Sequence, residues 1–277
     1  MSLREQLNLR NLLQSTKRAI PVPVKQALQK AYTFAVPCHL GPPVAQMYVN
    51  DGKTRSFLAA NNFYSTLLSR IETSARVEIT FLDARGEVVL REQRPVMHFG
   101  SCNLDIQTLF SDHAIRSDRG VILVRMIPDA RRRREYHDMG KISAQFYMFY
   151  ENTETGSVSH IHPTSVADPA NQAGGAFVSH QTLNTRGLRE VVLYQCNPSR
   201  ARHRLEHQLI DTATRKVVLS KPCELAPLGC EKTVFRMDEI ENLPPELAVQ
   251  IDDLPSTNSK PMLCRVYQSG AFSMSHS

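Results

Sequence analysis

The chain has 277 residues, 42% hydrophobic and 22% charged, with a formal net charge of +6. This is a globular balance that excludes wholesale disorder and fibrous repeats, and the length suffices for two domains with separate cores. No apolar run reaches the roughly 18 to 20 residues of a membrane-spanning helix, and Arg4, Glu5, Arg10, Lys17 and Arg18 interrupt the stretch where a secretory signal would be continuously apolar.

Residues 1–43 read as a basic, helical N-terminal extension. Leu3, Leu7, Leu9, Leu12 and Leu13 recur at near-helical spacing until Pro21 and Pro23 break the pattern, and a second short helix is expected over Lys25–Phe34. Such an apolar stripe flanked by cations suits an anionic membrane surface as well as a protein face, so residues 1–36 carry an expectation of peripheral membrane contact.

From Val44 the texture changes to short alternating runs. Arg76–Leu82 alternates as a half-buried strand does; Asp83–Gly86 is a turn and Glu87–Arg91 the returning strand. Gly120–Ile127 and Ala144–Tyr150 read as further strands, with Asp105–Asp112 a short helix or loop between sheets. The second half repeats this order: Arg204–Ile210, the turn Asp211–Arg215, Lys216–Leu219 and Leu247–Pro255 follow the first set at an offset of about 128 residues, and Ser157–His160 recurs as Ser273–His276. The expected fold is therefore mainly β: two tandem β-sandwiches from an internal duplication, at 44–163 and 176–277, joined by a linker at 164–175. A closed barrel is the structural alternative. The basic loop Arg131–Arg134 falls where the first copy is longer than the second.

Four features carry candidate chemistry. His160 and His162 lie two apart, so they share a strand face, and with His180 or Asp168 they are candidate ligands for a divalent metal such as zinc, copper or iron. Against that stands the simpler role of histidines that end a strand and face solvent; no metal or other cofactor is the default expectation. Arg131, Arg132, Arg133 and Arg134, with Tyr136 and His137, suit a phosphate, sulfate or carboxylate, or form a solvated hairpin tip. Asn61, Asn62 and Tyr64 suit a polar ligand such as a sugar, or build a turn. With no Trp in the chain, sugar stacking falls to Tyr48, Tyr64, Tyr136, Tyr147 or Tyr150. Finally, there are six cysteines, Cys38, Cys102, Cys196, Cys223, Cys230 and Cys264, none in a CxxC pair; most read as buried thiols in a reducing, cytoplasmic setting, while the even count leaves disulfides open.

No nucleophile elbow, papain-like cysteine signature or phosphate-binding glycine loop is present. One basic loop is a small footprint for nucleic acid, which is disfavoured as a partner. The strand Ala75–Phe81, with Asn61-Asn62 upstream and Val178-Ser-His-Gln-Thr182 in the second unit, resembles the small β-sandwich proteins related to the sensory rhodopsin transducer. That resemblance implies a soluble, non-enzymatic, all-β protein that binds carbohydrate. The expected function is thus a non-catalytic binding or adaptor protein for a carbohydrate or protein partner, in a surface-polysaccharide or signalling context. The alternatives are a metal-dependent enzyme using the histidines and a membrane adaptor using residues 1–36.

Overall fold

The computed structural model describes residues 43–67, 69, 72–129, 146–163, 165–166, 174–256 and 259–276. The helical expectation for the N-terminal extension and the loop holding Arg131–Arg134, Tyr136 and His137 lie outside these residues, as does Asp168. Among the described residues no helix is long and apolar enough to cross a membrane.

The chain is mainly β, in four antiparallel sheets that form two sandwiches. In the first, β1 (Val44–Val49), β3 (Ala75–Asp83), β4 (Val88–Val96), β6 (Arg119–Pro128) and β9 (Ser165–Val166) form a sheet of order β4-β3-β6-β1-β9. Facing it, β2 (Thr54–Asn61), β5 (Ser101–Asp105), β7 (Phe146–Asn152) and β8 (Val158–Ile161) run β5-β2-β7-β8. A short helix α1 (Phe63–Leu67) follows β2, and α2 (Ile106–Asp112) follows β5. Asp105 starts α2 as its N-cap, accepting from the Gln107 and Thr108 amides.

The second sandwich repeats this order. The strands β10 (Phe177–Val178), β11 (Leu183–Asn184), β13 (His203–Asp211), β14 (Val217–Leu225) and β16 (Glu246–Ile251) make one sheet, ordered β14-β13-β16-β10 with β11 also on β16. Its partner sheet runs β15-β12-β17-β18, from β12 (Leu188–Cys196), β15 (Cys230–Arg236), β17 (Met262–Tyr267) and β18 (Phe272–His276). A single 3-10 turn, Met237–Glu239, stands where α2 stands in the first sandwich. The linker expected at 164–175 is partly sheet, because Ser165 and Val166 pair with Ala45 and Val44.

Strand periodicity places each core. In β3, Val77, Ile79 and Phe81 point inward and are at most 1% exposed, while Arg76 and Glu78 between them meet solvent. Phe81, Phe110 and Tyr48 form an edge-on aromatic cluster with centroids 5.2–6.0 Å apart. Gly120 lies opposite Tyr48 in the β1–β6 register, and a Cβ there would collide with the Tyr48 ring. In the second sandwich Leu205, Leu209, Val249, Leu193, Phe235 and Leu263 fill the equivalent space. The edge strands β4 and β14 each carry a proline, Pro95 and Pro222, which removes a ladder donor and blunts edge-to-edge pairing.

The two hairpins β3–β4 and β13–β14 have the same construction. Each register shifts one residue before the turn, at Phe81/Leu82 and Leu209/Ile210, and each turn ends on a left-handed residue. That residue is Gly86 (φ 81°) in the first and Arg215 (φ 59°) in the second. Aspartates Asp83 and Asp211 start both turns, each accepting from a backbone amide two residues on (Arg85 and Ala213, both at 2.9 Å).

Candidate functional site

Sheet β15-β12-β17-β18 has two buried faces. Val191, Leu193, Phe235 and Leu263 point into the second core, while the alternate residues Val192, Tyr194, Cys264 and Met274 are also no more than 6% exposed. A strand apolar on both sides needs a cover on both sides, and here the cover is the first sandwich. Its β1–β2 turn supplies Asp51, which accepts from Lys232 Nζ at 2.6 Å. Arg119 reaches Glu231 at 2.9 Å. The Cys230 amide donates to the Ala84 carbonyl at 3.1 Å, and the Met274 amide to Ser159 Oγ at 3.0 Å. Tyr150, fully buried, donates to the Met47 carbonyl at 2.7 Å with Met262 Sδ 3.1 Å away.

This seam is not closed along its whole length. A cleft of about 90 Å³ opens between Asp51, Lys53 and Asn152 of the first sandwich and Glu190, Tyr194 and Lys232 of the second. Its walls also hold Glu154 and Arg189, so three carboxylates face three cations. Val192, Val266 and Phe272 supply apolar surface beside them. The Lys232 ammonium sits 5.6 Å from the Tyr194 ring centroid, a cation–π contact that fixes it over the floor. Burial first, and then the Asp51 charge, push the Tyr194 phenol well above its ordinary range, so it stays protonated. Burial likewise pushes the Cys264 thiol up to about 12.

The site residues expected from sequence fall elsewhere. Asn62 is 3% exposed, and its Nδ2 donates to the carbonyls of Thr73 (2.8 Å) and Met97 (3.0 Å). Asn61 is exposed at the end of β2, paired with Ser101. Tyr64 is buried against Phe63 and donates to the Met126 carbonyl at 3.3 Å. Asn62 is thus bonded within the turn and Tyr64 packed in the core. Among the described tyrosines considered for sugar stacking, Tyr48, Tyr64 and Tyr150 are core residues, and Tyr147 alone is exposed.

His160, His162 and His180 are not gathered either. Among the described residues no group of three His, Cys, Asp or Glu side chains is arranged to hold a metal ion. His160 packs beside Phe149 and Tyr147 with centroids about 6 Å away, and His180 faces solvent. The pair that does form is His162 with His276, Nε2 to Nε2 at 2.8 Å across the seam. His162 Nδ1 lies 3.1 Å from the Pro163 carbonyl, which can only accept, so Nδ1 carries a proton. In neutral His162 the Nε2 is then the acceptor and His276 the donor. Burial, then His162 and Lys260, lower the His276 pKa.

Asp51, Glu190, Tyr194 and Lys232 were not singled out by motif. The available signal was the run Val191-Val-Leu-Tyr-Gln-Cys196, apolar at nearly every position. In an antiparallel sheet that marks a strand covered on both faces, and hence an interface.

No family model and no curated protein matches the chain. Among solved structures, a Bacteroides fragilis chain described as a beta-galactosidase is similar over 88% of this chain and 34% of its own, at 10% identity and TM-score 0.19. A beta-glucuronidase of glycoside hydrolase family 2 covers 84% of this chain at 11% identity and TM-score 0.17, and an exo-chitosanase from Amycolatopsis orientalis covers 86% at 11% and 0.17. This chain spans about a third or less of each of those chains, and at such TM-scores the likeness carries no conclusion about its fold or activity.

Proposed function

We propose that the protein is a binding protein whose ligand, a neutral carbohydrate, docks at the mouth of the cleft between the two sandwiches with one ring edge inserted. The observation that carries this reading is the composition of the cleft walls: Asp51, Glu154 and Glu190 against Lys53, Arg189 and Lys232, next to Val192, Val266 and Phe272. The matched acceptors and donors, Asp51 and Lys232 already paired with each other, suit the alternating hydroxyls of a sugar, while a net-charged ligand would meet a like charge wherever it bound. The apolar strip suits the C–H face of a pyranose ring. Because the walls come from both sandwiches, a ligand there also tightens the seam.

A panel of neutral oligosaccharides, titrated calorimetrically into the full chain, tests this. Binding by at least one neutral glycan that is weakened tenfold or more in Glu190→Gln is the expected result. Glycan binding unchanged by Glu190→Gln and by Lys53→Ala places the ligand elsewhere, and binding confined to anionic glycans overturns the charge argument.

A further inference from the structure

Two cysteines meet across one rung of the seam-facing sheet. Cys196, the last residue of β12, is the register partner of Cys230, the first residue of β15. The type of rung follows from the hydrogen bonds around it. The Asn197 amide donates to the Gly229 carbonyl at 2.9 Å, so the neighbouring pair is a hydrogen-bonded one. The Cys230 amide points away from β12 and donates to Ala84 instead. Cys196 and Cys230 are thus a non-hydrogen-bonded pair, the antiparallel position where Cα atoms come within about 4.5 Å and side chains approach most closely. A disulfide accepts Cα separations of about 4.4 to 6.8 Å.

Both side chains point the same way. Alternation puts them on the face of Tyr194 and Lys232, the next same-face rung, and those two are in contact. That face is the one covered by the first sandwich, leaving Cys196 4% and Cys230 1% exposed. No other two cysteines among the described residues are register partners: Cys102 pairs with Ala60, Cys223 with Leu205 and Cys264 with Val192.

We infer that Cys196 and Cys230 are a redox-modification site, a dithiol that closes to a cross-strand disulfide when the seam between the sandwiches parts. The oxidant class is a small disulfide of the glutathione type. One thiolate attacks a sulfur of the small disulfide, forming a mixed disulfide and expelling one small thiolate. The second cysteine thiolate then attacks the protein sulfur and expels the other small thiolate. The two protons lost by the cysteines end on the two thiols released, the protein gives up two electrons, and the small disulfide takes them. With the seam closed neither sulfur is reachable, and burial holds the Cys230 thiol well above its ordinary pKa, which keeps the thiolate scarce. Parting the seam removes both restraints together.

The test is made on the reduced full chain exposed to oxidised glutathione, with thiols then blocked and peptides mapped without reduction. The expected product is a Cys196–Cys230 crosslink, forming slowly in the parent chain and at least tenfold faster in Gly86→Ala, which loosens the seam. In Cys196→Ser the resolving thiol is gone and Cys230 is expected to accumulate as the glutathione mixed disulfide. A parent chain that also stops at the mixed disulfide overturns the inference. So does a crosslink made preferentially through Cys223 or Cys264, or a formation rate that ignores Gly86→Ala.

Discussion

Asn62 and Asn197 make matching pairs of hydrogen bonds at matching corners of the two sandwiches. Asn62 Nδ2 donates to Thr73 and Met97, and Asn197 Nδ2 to Ala201 (2.7 Å) and Ala226 (2.8 Å). The backbone amides repeat the match, Asn62 donating to Gly100 and Asn197 to Gly229, each at 2.9 Å. Each asparagine thereby ties the entry to one strand to the turn between two others, and each of those turns holds a left-handed non-glycine residue, Phe99 or Leu228. Replacing either by Ala strands two backbone carbonyls, at a cost of about 2 to 3 kcal/mol. Urea unfolding is expected to show similar losses for Asn62→Ala and Asn197→Ala. A loss confined to one of them would mean that the two corners are not mechanically equivalent.

Gly86 governs the seam. A Cβ at this position would overlap the Pro227 carbonyl oxygen, and φ of 81° already disfavours any side chain. Gly86→Ala is expected to cost about 3 kcal/mol through strain and displaced packing. Limited proteolysis should then cut between the sandwiches sooner than within them. Uniform protection would show that the turn yields without moving its neighbour.

His207 makes the second core sensitive to acid. It is fully buried, with Nδ1 2.8 Å from Thr233 Oγ1 and no partner on Nε2, and burial lowers its pKa to about 4. The unfolded chain takes up the proton near the ordinary 6.5, before the folded one does. Stability from this group is therefore intact above pH 6.5, falls as pH drops, and is lost by about pH 4, a total of the order of 3 kcal/mol. Denaturation midpoints between pH 7 and 4.5 should decline in the parent chain and flatten in His207→Leu. An unchanged slope in that variant would assign the acid sensitivity to another group.

Lys232 and Asp51 join the sandwiches with side chains 28% and 13% exposed. Partial exposure limits their coupling, in a double-mutant cycle of Lys232→Met and Asp51→Asn, to about 1 kcal/mol, shrinking as salt is added. A coupling of zero at low salt would show that the pair is geometric coincidence.

The β architecture was legible because strand alternation is local. Arg76–Leu82 and Arg204–Ile210 announce their buried faces residue by residue, and the Asp-led turns announce the returns. The apolar run Val191–Cys196 signals that this strand needs a second cover, but which outer face supplies it was not legible, because no spacing encodes that. Asn62 shows the difference: its type suits both a ligand site and a turn, and only its two carbonyl partners decide. His162 likewise found its partner 114 residues away in His276 instead of two away in His160.

Arg215 stands where Gly86 stands in the first sandwich, at the end of the equivalent hairpin. A Cβ at Gly86 would overlap the Pro227 carbonyl, whereas Arg215, equally left-handed, is exposed. The same turn position is thus a seam contact in one sandwich and solvent-facing in the other.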